Sequence, residues 1–205
     1  WMTVAANAAE NAANWCTAGG TGCGTQGASI TVAAVTSGTL VLARGHSDNS
    51  PGSACDGQYE SVETNCTTAE PAATSHTEKR THTLKNEEVV WDLGGNVREW
   101  TSYFNNSDKP GATAVWYEYD ALSGTATMPL SDLVPTTAVK SFWSNSWNSS
   151  QNLGKFYPGT NTTGGALRRG GYWDYSTFAG LFGGTLNGAP TNSGTNYGLR
   201  CSAVP

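Results

Sequence analysis

The chain has 205 residues and a formal net charge of -5 with only 13% charged residues, so it lacks the clustered Lys and Arg that nucleic-acid binding requires. It contains no apolar run of about 18 residues, the length of a membrane-spanning helix, so we expect no membrane span within it. Its 25 Gly, 8 Trp and 8 Tyr are typical of tight turns and short strands around an aromatic core. No low-complexity linker divides the chain, which predicts one domain over residues 1–205.

The first predicted elements are a helix and several short strands. Apolar residues recur at helical spacing over residues 1–15, in an alanine-rich stretch that favours a helix. Residues 28–43 are rich in Val, Thr, Ile and Leu, which favours strands. Thr81–Leu84 and Val89–Leu93 predict two further strands, joined by a turn at Lys85-Asn86-Glu87.

Cysteine spacing predicts two local disulfides. Cys16 and Cys23 flank a glycine-rich hexapeptide, and Cys55 and Cys66 lie in a polar segment over residues 45–80 that predicts a long surface loop. Short loops close readily, which favours the pairs Cys16–Cys23 and Cys55–Cys66 in an oxidising, extracellular compartment. Zinc is the alternative, although the chain has no CxxC pair and its three histidines are scattered. The fifth cysteine, Cys201, fits a small buried residue in a final strand.

The C-terminal segment, from residue 166 onward, differs in composition from the rest of the chain. Residues 172–199 contain a single charged side chain, Asp174, and their aromatic residues are set among Gly, Asn, Ser and Thr. Tyr, Ser, Gly and Asn are the typical residues of antibody paratopes, where rigid aromatic contact area is combined with adaptable hydrogen bonding. Glycine-rich loops around a core are the alternative interpretation, because aromatic residues are more often core than binding hot spots.

Two motifs in the second half of the chain point to a family. Residues 90–100 read VWDLGGNVREW, and residues 169–173 read RGGYW before a final GLRC at 198–201. These motifs resemble the DLxGNVxEW signature and the RGGSW…GFRC ending of the formylglycine-generating-enzyme and sulfatase-modifying-factor family. The resemblance implies an α+β, C-type-lectin-like fold of the formylglycine-generating-enzyme variant. Such a fold has short twisted antiparallel strands, an N-terminal helix and long loops.

The residues of the first motif also have a local structural interpretation. Val90, Trp91 and Leu93 fit a strand that enters the core. Gly94 and Gly95 permit backbone angles that other residues avoid, and a neighbouring Asn can bond nearby backbone groups. The motif is therefore expected to fix a turn.

The run at residues 179–201, AGLFGGTLNGAPTNSGTNYGLRC, resembles the variable region of proteins diversified by diversity-generating retroelements. In those systems a reverse transcriptase copies a template repeat with errors at adenine, so Asn codons change at their first two positions and keep a final pyrimidine. Such codons exclude Lys, Glu, Gln, Met and Trp, and residues 172–199 contain none of these apart from Trp173 of the fixed frame. The resemblance implies a hypervariable ligand-binding region over residues 166–201.

The positions expected to be diversified, and to lie together on one exposed ligand-binding surface, are Tyr172, Asp174, Tyr175, Thr177, Phe178, Thr185, Gly188, Gly194 and Tyr197. Buried positions do not tolerate changes of volume, so the scaffold is expected to contain Trp173, Leu181, Leu186, Arg200 and Cys201. The expected partner is a protein or glycan ligand on another cell or a virion. The chain is accordingly expected to be an extracellular, cell-surface or virion-associated binding protein, with no nucleic-acid partner and no cofactor.

Three other functions fit these residues less well. Aerobic formylglycine-generating oxidoreductases bind copper with a cysteine pair before the final GFRC, but residues 171–199 contain no cysteine. Calcium-dependent lectins use EPN or QPD and WND motifs, which Glu70-Pro71-Ala72 and Trp173-Asp174-Tyr175 do not complete. We therefore expect no catalytic residue and no metal site. A purely structural surface or virion protein would differ only in what residues 172–197 do.

Overall fold

The structure is a computed structural model that describes residues 1–17, 30, 34–35, 37–45, 81–105, 114–118, 149–159 and 165–200. It has an α+β architecture with one N-terminal helix, α1 (Met2–Ala9), small sheets and long connections. The strands are β1 (Trp15–Thr17), β2 (Leu40–Leu42), β3 (Thr81–Thr83), β4 (Val89–Trp91), β5 (Arg98–Asn105), β6 (Phe156–Tyr157), β7 (Gly165–Arg169), β8 (Gly184–Thr185) and β9 (Tyr197–Leu199).

The N-terminal helix is shorter than the prediction over residues 1–15. It ends at Ala9, and a 3₁₀ turn at Ala12–Asn14 leads directly into β1. The Asn11 side chain accepts a hydrogen bond from a backbone N–H within this turn, and the Asn14 amide donates back to a carbonyl of α1. Asparagine side chains compete with the helix for backbone partners, so these two residues redirect the chain.

The strands predicted around residues 81–93 are confirmed as an antiparallel hairpin of β3 and β4. Thr83 faces Val89 in the register, and the turn between them includes Glu87 in the left-handed region (φ 73°). The end of the hairpin differs from expectation, because Trp91 is 43% exposed whereas Leu93 is only 1% exposed. The chain therefore enters the core after β4 rather than along it.

The main sheet has five strands in the order β6-β8-β7-β5-β9. Its β5–β7 and β7–β8 pairs are antiparallel, whereas β5–β9 and β6–β8 are parallel. The expectation of antiparallel strands is therefore wrong for this sheet, which is mixed. Parallel neighbours need a long crossover connection, and the chain between β5 and β9 runs through β7 and β8 before it returns.

The hydrophobic core is a single cluster to which the helix, the N-terminal strands, the main sheet and the segments around it all contribute. Its fully buried side chains come from distant parts of the sequence and include Ala5, Ala8, Trp15, Leu42, Leu93, Leu153, Phe156, Leu167, Leu181 and Phe182. The helix contributes mostly alanine, so its backbone can approach the core closely while Trp and Phe supply the buried area.

The turn that follows β4 is held by close backbone contacts. Gly45 adopts a left-handed conformation (φ 80°), and a Cβ atom at this position would overlap the carbonyl oxygen of Gly94. The Gly95 N–H donates to the Gly170 carbonyl oxygen at 2.8 Å, which joins the turn after β4 to the turn after β7. The two sequence motifs thus contact each other in three dimensions.

Replacing Gly45 with Ala is expected to lower the free energy of unfolding by about 2–5 kcal/mol, because left-handed strain is added to the overlap with Gly94. Urea unfolding followed by tryptophan fluorescence measures this cost. Gly38→Ala is the matched control, since Gly38 also has a positive φ (71°) but a Cβ there meets nothing within 4 Å. It should cost only about 1 kcal/mol. Equal costs for the two variants would contradict the close-approach explanation.

Candidate binding face

The segment after β7 presents aromatic side chains at every third residue. Backbone hydrogen bonds run from the Tyr175 N–H to the Tyr172 carbonyl oxygen (2.9 Å) and from the Phe178 N–H to the Tyr175 carbonyl oxygen (2.9 Å). These are turns of the 3₁₀ type, in which side chains three residues apart lie above one another. The Tyr172 and Tyr175 ring centroids are accordingly 4.1 Å apart.

Trp116 extends this row from another part of the chain. Its ring stacks on Phe178 with centroids 4.6 Å apart and meets the Tyr175 ring edge-on at 4.9 Å. The Tyr117 N–H donates to the Phe156 carbonyl oxygen, and this bridge to β6 fixes the position of the neighbouring Trp116. Trp116 was not predicted as a site residue, because its contact with the row depends on pairing with a distant strand.

Tyr197 reaches the same region from β9. Because β9 runs parallel to β5, Tyr197 lies beside Arg98 in the register, and its ring stacks on Trp100 with centroids 5.4 Å apart. Its hydroxyl oxygen accepts a hydrogen bond from Arg168 Nη1 at 2.9 Å. Tyr197 is thus held by contacts with β5 and β7 of the main sheet.

Arg98 connects the three tyrosines. Its Nη1 donates to the Tyr175 hydroxyl oxygen at 2.8 Å, and its Cζ lies 4.5 Å from the Tyr172 ring centroid and 4.7 Å from that of Tyr197. Cation–π contacts of this length are favourable, and more so away from water. Arg98 is only 7% exposed, so it lies beneath the rings rather than beside them.

Arg168 is the second buried cation and is only 1% exposed. Besides Tyr197, it donates to the side-chain oxygen of Asn187, and its Cζ lies 5.3 Å from the Trp100 ring centroid. Burial, reinforced by the nearby charge of Arg98, lowers the pKa of Arg168 from its usual value. Among the described residues, neither arginine forms an ion pair with a carboxylate.

We name the set of Tyr172, Tyr175, Phe178, Tyr197, Trp100 and Trp116 with Arg98 and Arg168 the aromatic–arginine cluster. Four of its members belong to the predicted variable positions. The other four, Trp100, Trp116, Arg98 and Arg168, were not predicted as site residues. Arg98 and Arg168 lie inside or beside the sequence motifs, but only the tertiary contacts reveal that they meet the tyrosines.

The remaining predicted positions divide into exposed and buried residues. Asp174, Thr177 and Gly194 are exposed, as expected for a variable surface. The expectation is wrong for Thr185, which is 2% exposed, and for Gly188, which is also buried. Thr185 belongs to β8, an interior strand paired on both sides, and a Cβ on Gly188 would lie 2.7 Å from Arg168 Nη2.

The predicted scaffold residues also differ among themselves. Leu181 and Leu186 are buried in the core, and Trp173 is partly buried. Arg200 is exposed, but its Nε and Nη2 donate to the two carboxylate oxygens of Glu99 at 3.0 and 2.8 Å. Cys201 lies outside the described residues.

The predicted disulfides involve residues that the structure does not describe. Cys16 is buried in β1, whereas Cys23, Cys55 and Cys66 fall outside the described residues, so the two pairs stay predictions. Within the described ranges, no group of three or more His, Cys, Asp or Glu residues could hold a metal ion. In the same ranges, no helix combines the length and apolarity that crossing a membrane requires.

A cavity of about 480 Å³ lies beside the cluster, between α1 and the β5–β9 edge. Trp1, Val4, Leu93 and Trp100 contribute much of its lining. The charged side chains that line it, Glu99 and Arg200, bond each other. The Glu99 carboxylate at the wall of this cavity is therefore held in an ion pair.

The chain matches no protein-family model, no curated protein and no solved structure. Its function is therefore inferred from the chemistry of its own residues.

Glu118 and Lys155 form an ion pair next to the ring of Phe178. Lys155 Nζ lies 2.7 Å from Glu118 and 5.3 Å from the Phe178 ring centroid, while Ser149 donates to both carboxylate oxygens of Glu118. Burial alone would raise the pKa of Glu118, but the hydrogen bonds from Lys155 and Ser149 outweigh it, and the pKa is lowered below 4.5.

A carboxylate whose pKa is lowered on folding stabilises the protein above its unfolded pKa and loses this contribution as the pH falls through the folded value. Glu118→Gln is therefore expected to lower stability at pH 7 and to reduce the further loss below about pH 4.5. Urea unfolding at stepped pH measures the slope. Glu88→Gln, at an exposed glutamate, is the matched control for the loss of one carboxylate. Identical slopes for wild type and Glu118→Gln would contradict this role.

Proposed function

We propose that this chain is a ligand-binding display protein, receptor-like or adhesin-like, whose C-terminal region is diversified by a retroelement. The proposal includes a C-type-lectin-like fold of the formylglycine-generating-enzyme variant, on the basis of the motifs at 90–100 and 169–201. It also includes an extracellular, cell-surface or virion-associated location and a protein or glycan ligand on another cell or virion. No catalytic role is proposed.

The observation that carries the proposal is the meeting of predicted variable aromatics in one cluster. Tyr172, Tyr175, Phe178 and Tyr197 come from two separate segments, yet they are linked through Arg98 and Trp116. Tyr, Trp and Arg are the residues most enriched among binding hot spots. A partly exposed cluster of these residue types has the composition of a paratope.

The backbone beneath the cluster is fixed independently of the variable side chains. The Gly170 N–H donates to the Gly183 carbonyl oxygen at 3.0 Å, and the Gly180 N–H donates to the Gly170 carbonyl oxygen at 3.1 Å. These bonds involve main-chain atoms only, so substitutions at Tyr172 or Thr177 leave them in place. A surface that changes its side chains without changing its backbone is what a diversified binding protein requires.

Burial limits the positions at which a side chain can change without loss of stability. Thr185 and Gly188 are buried, so a larger side chain at either position would strain the residues around it. We therefore propose that the working surface consists of Tyr172, Asp174, Tyr175, Thr177, Phe178, Gly194 and Tyr197, with only restricted variation at the two buried positions.

Randomising the codons of Tyr172, Asp174, Thr177 and Gly194 in a surface-displayed library is expected to leave most variants folded, as measured by protease resistance. The same library should yield binders when it is selected against a panel of purified test proteins. Randomising Leu181 and Leu186 is the matched control, and it should unfold most variants, since each loss of a buried Leu costs about 2–5 kcal/mol. Equal loss of folding in the two libraries would favour a purely structural surface protein.

The diversification itself has a direct genetic test. The gene is expected to lie near a reverse-transcriptase gene and a second, nearly identical copy of the segment that encodes residues 166–201. The two copies should differ only where the second copy has adenine. Differences spread over all four bases, or the lack of a second copy, would contradict diversification but not ligand binding.

A further inference from the structure

We propose that the aromatic–arginine cluster recognises an acidic side chain of a protein ligand. The Tyr175 and Tyr197 hydroxyls are the hydrogen-bond donors to its carboxylate. This inference rests on the proposed ligand-binding function and specifies the chemistry of the ligand.

The direction of the hydrogen bonds at the two hydroxyls is fixed by their partners. A guanidinium group can only donate, so the hydroxyl oxygens of Tyr175 and Tyr197 accept from Arg98 (2.8 Å) and Arg168 (2.9 Å). Each hydroxyl hydrogen is then left to donate. Among the described residues, neither hydroxyl donates a hydrogen bond to an acceptor. Two hydroxyl donors of the partly exposed cluster therefore have no partner among the described residues.

The electrostatics of the cluster favour a negative ligand. Arg98 and Arg168 are 7% and 1% exposed, and no carboxylate among the described residues pairs with either. Burying a charge without an opposite charge is costly, and the stacked rings offset only part of that cost. An anion bound to the hydroxyls would lie close to both guanidinium groups and would offset more of it.

The protonation of Tyr175 is consistent with a donor role. Burial raises the pKa of its hydroxyl above the usual value, and the charge of Arg98 only partly opposes this effect. The phenol is therefore neutral at physiological pH and keeps the hydrogen that it would donate. Since hydrogen bonds from a neutral donor to a charged acceptor are stronger than those to a neutral one, a carboxylate is preferred over an amide.

A protein carboxylate fits this face better than a densely sulfated glycan does. A polyanion is captured by several exposed cations, but residues 172–199 contain no Lys or Arg, and their one charged residue is Asp174. The cations of the cluster are buried and act through two hydroxyls, which suits a single carboxylate. The flanking rings of Tyr172, Phe178 and Trp116 supply the apolar contact area that protein hot spots use.

The test uses the purified full chain and two displayed peptide libraries of the same design, one that encodes Asp and Glu and one that encodes Asn and Gln in their place. Selection is expected to enrich binders from the acidic library, and replacing the Asp or Glu of a selected peptide by its amide should weaken binding about 10- to 100-fold. The double variant Tyr175→Phe/Tyr197→Phe retains both rings and should lose the same factor. Tyr157→Phe is the matched control, because Tyr157 lies at the end of β6, outside the cluster and the proposed surface, and its ring also packs on Trp116 at 5.2 Å; it should bind like wild type.

Each other outcome has a definite meaning. Equal enrichment from both libraries, with Tyr172→Ala reducing capture, would overturn the carboxylate inference and leave the binding function intact. Capture of a heparin-derived oligosaccharide but of neither peptide library would overturn the protein-ligand assignment. If Tyr157→Phe weakens binding as much as the double variant does, the effect is not specific to the Tyr175 and Tyr197 hydroxyls and the inference fails. The lack of any binder from peptides or oligosaccharide would contradict both proposals. Circular dichroism of all variants excludes unfolding as the cause of lost binding.

Discussion

The contact between the turn after β4 and the turn after β7 determines the geometry of the aromatic–arginine cluster. Gly95 donates to the Gly170 carbonyl oxygen at 2.8 Å, and Trp173 donates to the Asn96 carbonyl oxygen at 3.1 Å. These backbone bonds hold the start of β5 next to the segment that begins at Tyr172. Arg98, the first residue of β5, therefore lies against the Tyr172 ring. Without this contact Tyr172 and Tyr175 would not lie over Arg98, and the three tyrosine rings would lack a common cation.

The buried arginines act as supports that are independent of any single aromatic side chain. Arg98 lies within 5.2 Å of three tyrosine ring centroids, and Arg168 lies within 5.3 Å of the rings of Trp100 and Tyr197. Each cation interacts with several rings, so the loss of one ring removes only part of its stabilisation. A diversified surface benefits from such redundancy, because a variant that replaces one tyrosine still leaves the arginine covered by others. Under the proposed function, the same charges would favour ligands that carry acceptor groups in every variant of this surface.

The local sequence predicted those features that depend on neighbouring residues. The β3–β4 hairpin, the turn-forming glycines of the first motif and the aromatic segment after residue 170 were all predicted from short-range patterns. The helix was predicted too long, because the side chains of Asn11 and Asn14 form backbone hydrogen bonds that its alanine-rich composition did not indicate. The resemblance to variable regions singled out four of the six aromatic residues of the cluster, but composition could not distinguish core from surface among the aromatic residues of that segment.

Tertiary structure decided which residues surround those aromatics and which predicted positions are accessible. Arg98 and Tyr175 are 77 residues apart in sequence, and Tyr197 reaches Arg98 only because β9 pairs in parallel with β5. No periodicity within a strand encodes the direction of its partner, so neither contact could be predicted. Thr185 looked equivalent to Thr177 in a glycine-rich run, yet it is buried because β8 has a neighbouring strand on each side. The sequence by itself determined the chemistry available to the face, whereas the order and direction of strands in the sheet determined which of that chemistry reaches the surface.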